Sequence, residues 1–149
     1  MEPVPRLIGL DVGTKTIGLA VSDPLGLTAQ GLGVIRRQGI GKDLEALQHW
    51  VALYNPERFV VGYPLNMNGS PGPQAQFVED FTEQLRSLGV PVEFVDERLT
   101  TKQAEHAMIA GGVRRDKRKL LIDQQAAILI LQGYLDRRHR TIPPPSSPS

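Results

Sequence analysis

Residues 6–21 read RLIGLDVGTKTIGLAV, two apolar runs separated by a Gly-Thr-Lys-Thr stretch. This pattern predicts two strands joined as a hairpin. An antiparallel pair at the start restricts the sheet that later segments can build. Residues 22–33 are rich in Gly, Pro and small side chains, and predict a loop and a third strand ending near Val34-Ile35. Residues 43–54 carry Leu44, Leu47, Val51 and Tyr54 at helical spacing, and Asn55-Pro56 stops that helix. Arg58–Gly62, RFVVG, has the character of a buried parallel strand. Residues 63–73, YPLNMNGSPGP, are a loop.

A helix is predicted over 74–88, with Phe77, Val78, Phe81, Leu85 and Leu88 on one side and Gly89 at its end. Val92–Val95 is the next strand. Thr100 and Gln103 have capping-box spacing and open a helix that Gly111-Gly112 closes. A long helix follows over about 116–138, and its all-apolar centre AAILIL is expected to be buried. A hairpin followed by alternating strands and helices predicts an α/β domain with a mixed sheet.

The chain has 149 residues, the size of one domain, which we assign to residues 1–140. The Pro/Ser-rich residues 141–149 are expected to be a disordered tail. The absence of cysteine excludes disulfides, thiol nucleophiles, Cys-ligated zinc and iron–sulfur clusters. No apolar run approaches the ~20 residues that span a bilayer. The N-terminus lacks the pattern of a secretion signal, so a cytoplasmic location and no membrane partner are expected.

Charge is unevenly spread. Residues 114–140 hold eight basic and three acidic residues, a net of +5, against −4 for the rest. One basic surface suited to a polyanion is one reading, and a solvated helix end is the other.

Three acids stand out. In the first strand, Asp11 shares a face with Leu7 and Gly9. A carboxylate there is costly unless cations or hydrogen bonds satisfy it. Read locally, Asp11 could instead cap the turn at Gly13-Thr14. Asp96 and Glu97 end the run VEFVDER at a strand's carboxyl end, where α/β sheets place ligands. Extended strand geometry sends them to opposite faces; the alternative is two solvated turn acids. Asp123 has Leu120, Ala127, Ile130 and Leu131 as helical neighbours, and an ion pair with Lys119 is its alternative role. Carboxylates converging from two strands and a helix would offer oxygen ligands to Mg²⁺ or Mn²⁺. Two such ions could activate water for phosphodiester cleavage.

Four strings, LDVGTKTIGLAVSD, VVGYPLNMNGSPGPQAQ, VDERLTTKQAE and KLLIDQQAAILILQGYL, occur in one order between about Leu7 and Leu135. Together they resemble the YqgF family of bacterial pre-16S rRNA nucleases, also described as Holliday-junction-resolvase-like. The resemblance implies a ribonuclease-H-like fold: a five-stranded mixed sheet, first strands antiparallel, flanked by helices. It assigns the acidic site to Asp11, Glu97 and Asp123 as catalytic and metal-holding residues. It implies trimming of the 5′ end of precursor small-subunit rRNA with a divalent cation. The sequence departs from the pattern at Tyr63, where an aliphatic residue is expected, and at Gly72-Pro73, which stiffens the loop.

Around these acids, Lys15 in the first turn, Arg98 after Glu97, and Asn66, Asn68 and Ser70 in the long loop are candidate phosphate contacts. The basic run Arg114, Arg115, Lys117, Arg118 and Lys119 completes the candidate nucleic-acid surface. Each could equally be an ordinary surface or turn residue. His49, His106 and His139 lack metal-ligand spacing, and Trp50 fits a core or helix-flank position. Aromatic content of 5% argues against an aromatic-lined single-strand groove.

The expected partner is precursor rRNA or a pre-ribosomal particle, with branched DNA as the alternative, bound by a monomer or homodimer. A junction resolvase would need an obligate dimer to make two cuts. A non-catalytic rRNA-binding assembly factor is a separate class. A sugar-kinase or actin-like ATPase, which shares Asp-x-Gly-Thr, would need two such domains.

Overall fold

The computed structural model describes residues 4–66, 68–96 and 115–141, with side chains in the last stretch described at 124–138. Its five strands are β1 (Leu7–Val12), β2 (Thr16–Ser22), β3 (Ala29–Arg36), β4 (Arg58–Tyr63) and β5 (Val92–Asp96). The helices among the described residues are α1 (Ile40–Tyr54), α2 (Ala75–Leu85) and α3 (Arg115–Thr141), with a 3₁₀ turn at Arg86–Leu88 after α2. The predicted helix between Thr100 and Gly111 and most of the predicted tail lie outside the described residues.

The strands form one sheet in the order β3-β2-β1-β4-β5. β1 and β2 pair antiparallel, as do β2 and β3, while β4 joins β1 in parallel and β5 joins β4 in parallel. The predicted hairpin closes through Gly13 to Lys15, with the Gly13 N–H donating to the Thr16 carbonyl at 2.9 Å. Parallel neighbours need a crossover, and α1 and α2 supply those before β4 and β5.

Period-two alternation along the strands sorts the core into two layers. Ile8, Leu10, Ile17, Leu19, Phe59 and Val61 point to one face and pack with Leu47 of α1 and with Val78, Phe81 and Leu85 of α2. Leu7, Ala20, Val60 and Val95 point to the other and meet Ala127, Ile130, Leu131 and Leu135 of α3. The AAILIL centre of α3 is less uniformly buried than its composition predicts. Ala126, Ala127, Ile130 and Leu131 are buried, whereas Ile128 and Leu129 are half-buried. A helix on the outer face of a three-layer domain has only one covered side.

α1 begins three residues earlier than its apolar spacing indicates and stops where expected. Asn55 takes the left-handed conformation, φ 46° and ψ 60°, and its N–H donates to the Val51 carbonyl at 2.7 Å. Asn tolerates that geometry better than most side chains, and Pro56 blocks continuation. The early start places Asp43 inside the first turn rather than at the first residue of the helix.

Candidate functional site

Asp11 lies in β1 opposite Gly18 of β2, one residue before the strand ends, and its side chain is partly buried. Its face is that of Leu7 and Gly9, the face covered by α3. Gly9 explains how closely the helix sits. A Cβ at Gly9 would fall 2.8 Å from Leu131 Cβ and 3.1 Å from the Ala127 carbonyl oxygen. No larger residue leaves α3 where it is.

Several contacts set the direction of α3. Tyr134 reaches the Arg58–Glu93 pair at the start of β4 and β5, with its hydroxyl 3.4 Å from Glu93 Oε1. Gln132 accepts from the Ala29 N–H at 2.9 Å and donates to the Leu27 carbonyl at 2.9 Å. Gln124 lies against Gly31, two residues further along β3 than Ala29. The helix therefore runs antiparallel to β1, its N-terminal half towards the carboxyl end of that strand. Asp123 belongs to α3, about 6 Å along the axis before Ala127 and towards the Asp11 end.

β5 turns its last acid away from α3. Val95 and Glu93 belong to the α3 face, whereas Phe94 packs towards α1 and α2. Alternation gives Asp96 the Phe94 face, and Asp96 is exposed beside Tyr63 in the β4 register. Glu97, Arg98 and Arg114 lie outside the described residues. Arg115, Lys117, Arg118 and Lys119 lie in the first turns of α3.

Lys15 is exposed at the hairpin tip. Residues absent from the sequence reading hold that tip from beneath. The Arg37 N–H donates to the Lys15 carbonyl at 2.9 Å, and Arg37 Nη1 donates to the Gly13 carbonyl at 3.2 Å. Arg37 Nε donates to Asp43 Oδ2 at 2.9 Å, and Asp43 Oδ1 accepts from the Gln38 N–H at 3.0 Å. The guanidinium also lies over the rings of Phe77 and Phe81, 5.2 and 4.9 Å from their centroids. In sequence, Arg37 and Asp43 read as an ordinary loop base and an ordinary helix acid. No local pattern joins them.

The loop after β4 uses its own polar groups. Asn66 Nδ2 donates to Ser70 Oγ at 3.1 Å and to the Pro71 carbonyl at 3.2 Å. Asn68 Oδ1 accepts from the Ser70 N–H at 3.0 Å and from Ser70 Oγ at 2.6 Å. Asn66, Asn68 and Ser70 are exposed, yet they brace one another as a turn does.

Among the described residues, no group of three or more His, Cys, Asp or Glu is placed to hold a metal. Asp11 supplies an oxygen donor of the kind hard divalent cations take.

An antiparallel three-strand unit extended by two parallel strands, with α3 packed beside Asp11, defines a ribonuclease-H-like architecture. RuvC of Thermus thermophilus in complex with a Holliday junction substrate superposes with a TM-score of 0.57, at 19% identity over 93% of this chain and 98% of that one. The fowlpox virus Holliday junction resolvase gives 0.53, at 12% identity over 89% and 99%. At such identities the likeness is one of fold. A sequence model of the RuvX family, described as Holliday junction resolvase, matches residues 5–137. The "Putative pre-16S rRNA nuclease" of Moorella thermoacetica is 56% identical over 89% of this chain and 95% of its own length. The protein of the same name from Heliobacterium modesticaldum is 50% identical over 89% and 90%. The chain belongs to the RuvX family, also called YqgF.

Proposed function

We propose that this protein is a metal-dependent endonuclease that cuts phosphodiester bonds in precursor 16S rRNA, in the cytoplasm, during ribosome maturation. The observation that carries the reading is Asp11 on the α3 face at the end of β1, with the N-terminal half of α3 running towards it. The names of the relatives support the substrate.

In this reading Asp11, Glu97 and Asp123 hold Mg²⁺ or Mn²⁺. Alternation along β5 gives Asp96 the face away from α3, and the family resemblance assigns the acid of this strand end to Glu97. The bound cations would activate a water and stabilise the leaving oxygen of an in-line displacement. The chain's own residues position the substrate. Lys15 offers its ammonium to a phosphate from a braced turn. The basic first turns of α3, together with Arg98 and Arg114, draw the polyanion towards the acids. Asn66 and Asn68 flank the path at the carboxyl edge.

The test is cleavage of a precursor 16S fragment and of a four-way DNA junction by wild type and Asp11→Asn, with Mg²⁺, Mn²⁺ or EDTA. RNA cleavage that needs the cation and is lost in the variant supports the proposal. Cleavage of the junction alone transfers it to a resolvase, the activity in the family's description. RNA binding without cleavage of either makes the protein an assembly factor.

A further inference from the structure

A second cleft opens beside the acidic site, on the other face of the sheet. It has a volume of about 330 Å³ and is lined by Tyr63, Leu65, Glu79, Phe94, Val95 and Asp96. We infer that this cleft is a subsite for one unpaired nucleobase of the substrate strand, stacked on Tyr63 and Phe94. Its exocyclic amine donates to Glu79 or Asp96. The inference rests on the nuclease reading above.

The strand ends build the platform. Tyr63 and Asp96 close β4 and β5 as register partners. The Tyr63 and Phe94 rings lie 5.0 Å apart at 59°, and both residues are half-buried and line the cleft. Glu79 of α2 lines the same cleft, with its carboxylate near the Tyr63 phenol. Burial, and then the Glu79 carboxylate, hold the phenol above its ordinary value, so Tyr63 stays a neutral donor at physiological pH. A preset ring loses little freedom on stacking.

The lining selects its occupant. Among the lining residues are two carboxylates and no Lys or Arg, so the cleft repels phosphate. It suits a flat, neutral ring that donates hydrogen bonds. Adenine, cytosine and guanine carry an exocyclic amine, and uracil carries none. The position suits a base near the cut. β1 and β4 run in register through Leu10 and Val61, which brings Asp11 level with Gly62, next to Tyr63. A strand crossing the carboxyl edge would set a phosphate at Asp11 and a flanking base in the cleft. One ring pair is enough for one base, and a low aromatic content does not prevent it.

The experiment uses single-stranded precursor RNA with 2-aminopurine placed at one position at a time across the cut. Binding is followed by anisotropy and base fluorescence in the Asp11→Asn background. Quenching is expected at one position near the cut and is lost in Tyr63→Leu, with affinity falling about 5- to 150-fold. Tyr63→Phe keeps the ring and retains the quenching. Quenching unchanged in Tyr63→Leu, spread equally over all positions, or lost equally in Tyr63→Phe overturns the stacking subsite. Absence of RNA binding in the anisotropy overturns the nuclease reading instead.

Discussion

Arg37 Nε and Asp43 Oδ2 lie 2.9 Å apart beneath the β1–β2 turn, with Asp43 1% exposed and Arg37 15%. A charge this deep needs its partner, because removing one leaves the other buried and uncompensated. Arg37→Met is expected to cost about 3–5 kcal/mol. In a chain of this size that lowers Tm by roughly 6–20 °C. The double variant Arg37→Met/Asp43→Leu, which removes both charges, should recover much of the loss. Chemical denaturation of the singles and the double reads the coupling. A single variant within about 0.5 kcal/mol of wild type would show that the pair does not hold the turn.

Gly9 and Gly133 separate two uses of glycine. Gly9 sits where a Cβ meets Leu131 and the Ala127 carbonyl, while nothing lies within 4 Å of a Cβ at Gly133. Gly9→Ala forces α3 outward and should cost about 1–3 kcal/mol. Gly133→Ala, inside a helix, should stabilise by about 1 kcal/mol. Equal effects in urea denaturation would contradict the tight seat of α3 on β1.

Tyr63 should titrate late. Its folded value is raised by burial and then by Glu79, so protonation is retained above the ordinary value of 10.0. Stability linked to the neutral phenol is fully present below that value and falls as pH rises through the folded one. The ultraviolet difference titration of wild type against Tyr63→Phe isolates this phenol. A midpoint at or below 10.0 would show that Glu79 does not act on it.

Asp11→Asn keeps the shape of the side chain and removes its charge. Folding should be retained, with a melting curve close to wild type. Cation-dependent cleavage should fall by about 100-fold or more, since even outer-shell changes at metal sites cost 10–100-fold. Activity within a few-fold of wild type would remove Asp11 from the metal site.

Much of the architecture is written locally. The hairpin follows from two apolar runs around Gly13 to Lys15, and α1 ends at Asn55 because of its turn chemistry. Asp11 could be singled out because alternation put a carboxylate on an apolar face. These signals lie within a few residues of one another, and periodicity and turn preference report them directly. Other relationships became visible only once distant segments met. Arg37 and Asp43 carry no mark of burial in sequence, since their pairing depends on α1 crossing under the first turn. Gly9 reads as an ordinary strand glycine until α3 lies against it. Tyr63, Glu79 and Phe94 come from a strand, a helix and another strand, and form a cleft because parallel pairing brings β4 and β5 to one edge. Side-chain period tells which face a residue takes; what waits on that face depends on the packing of elements far apart in the chain.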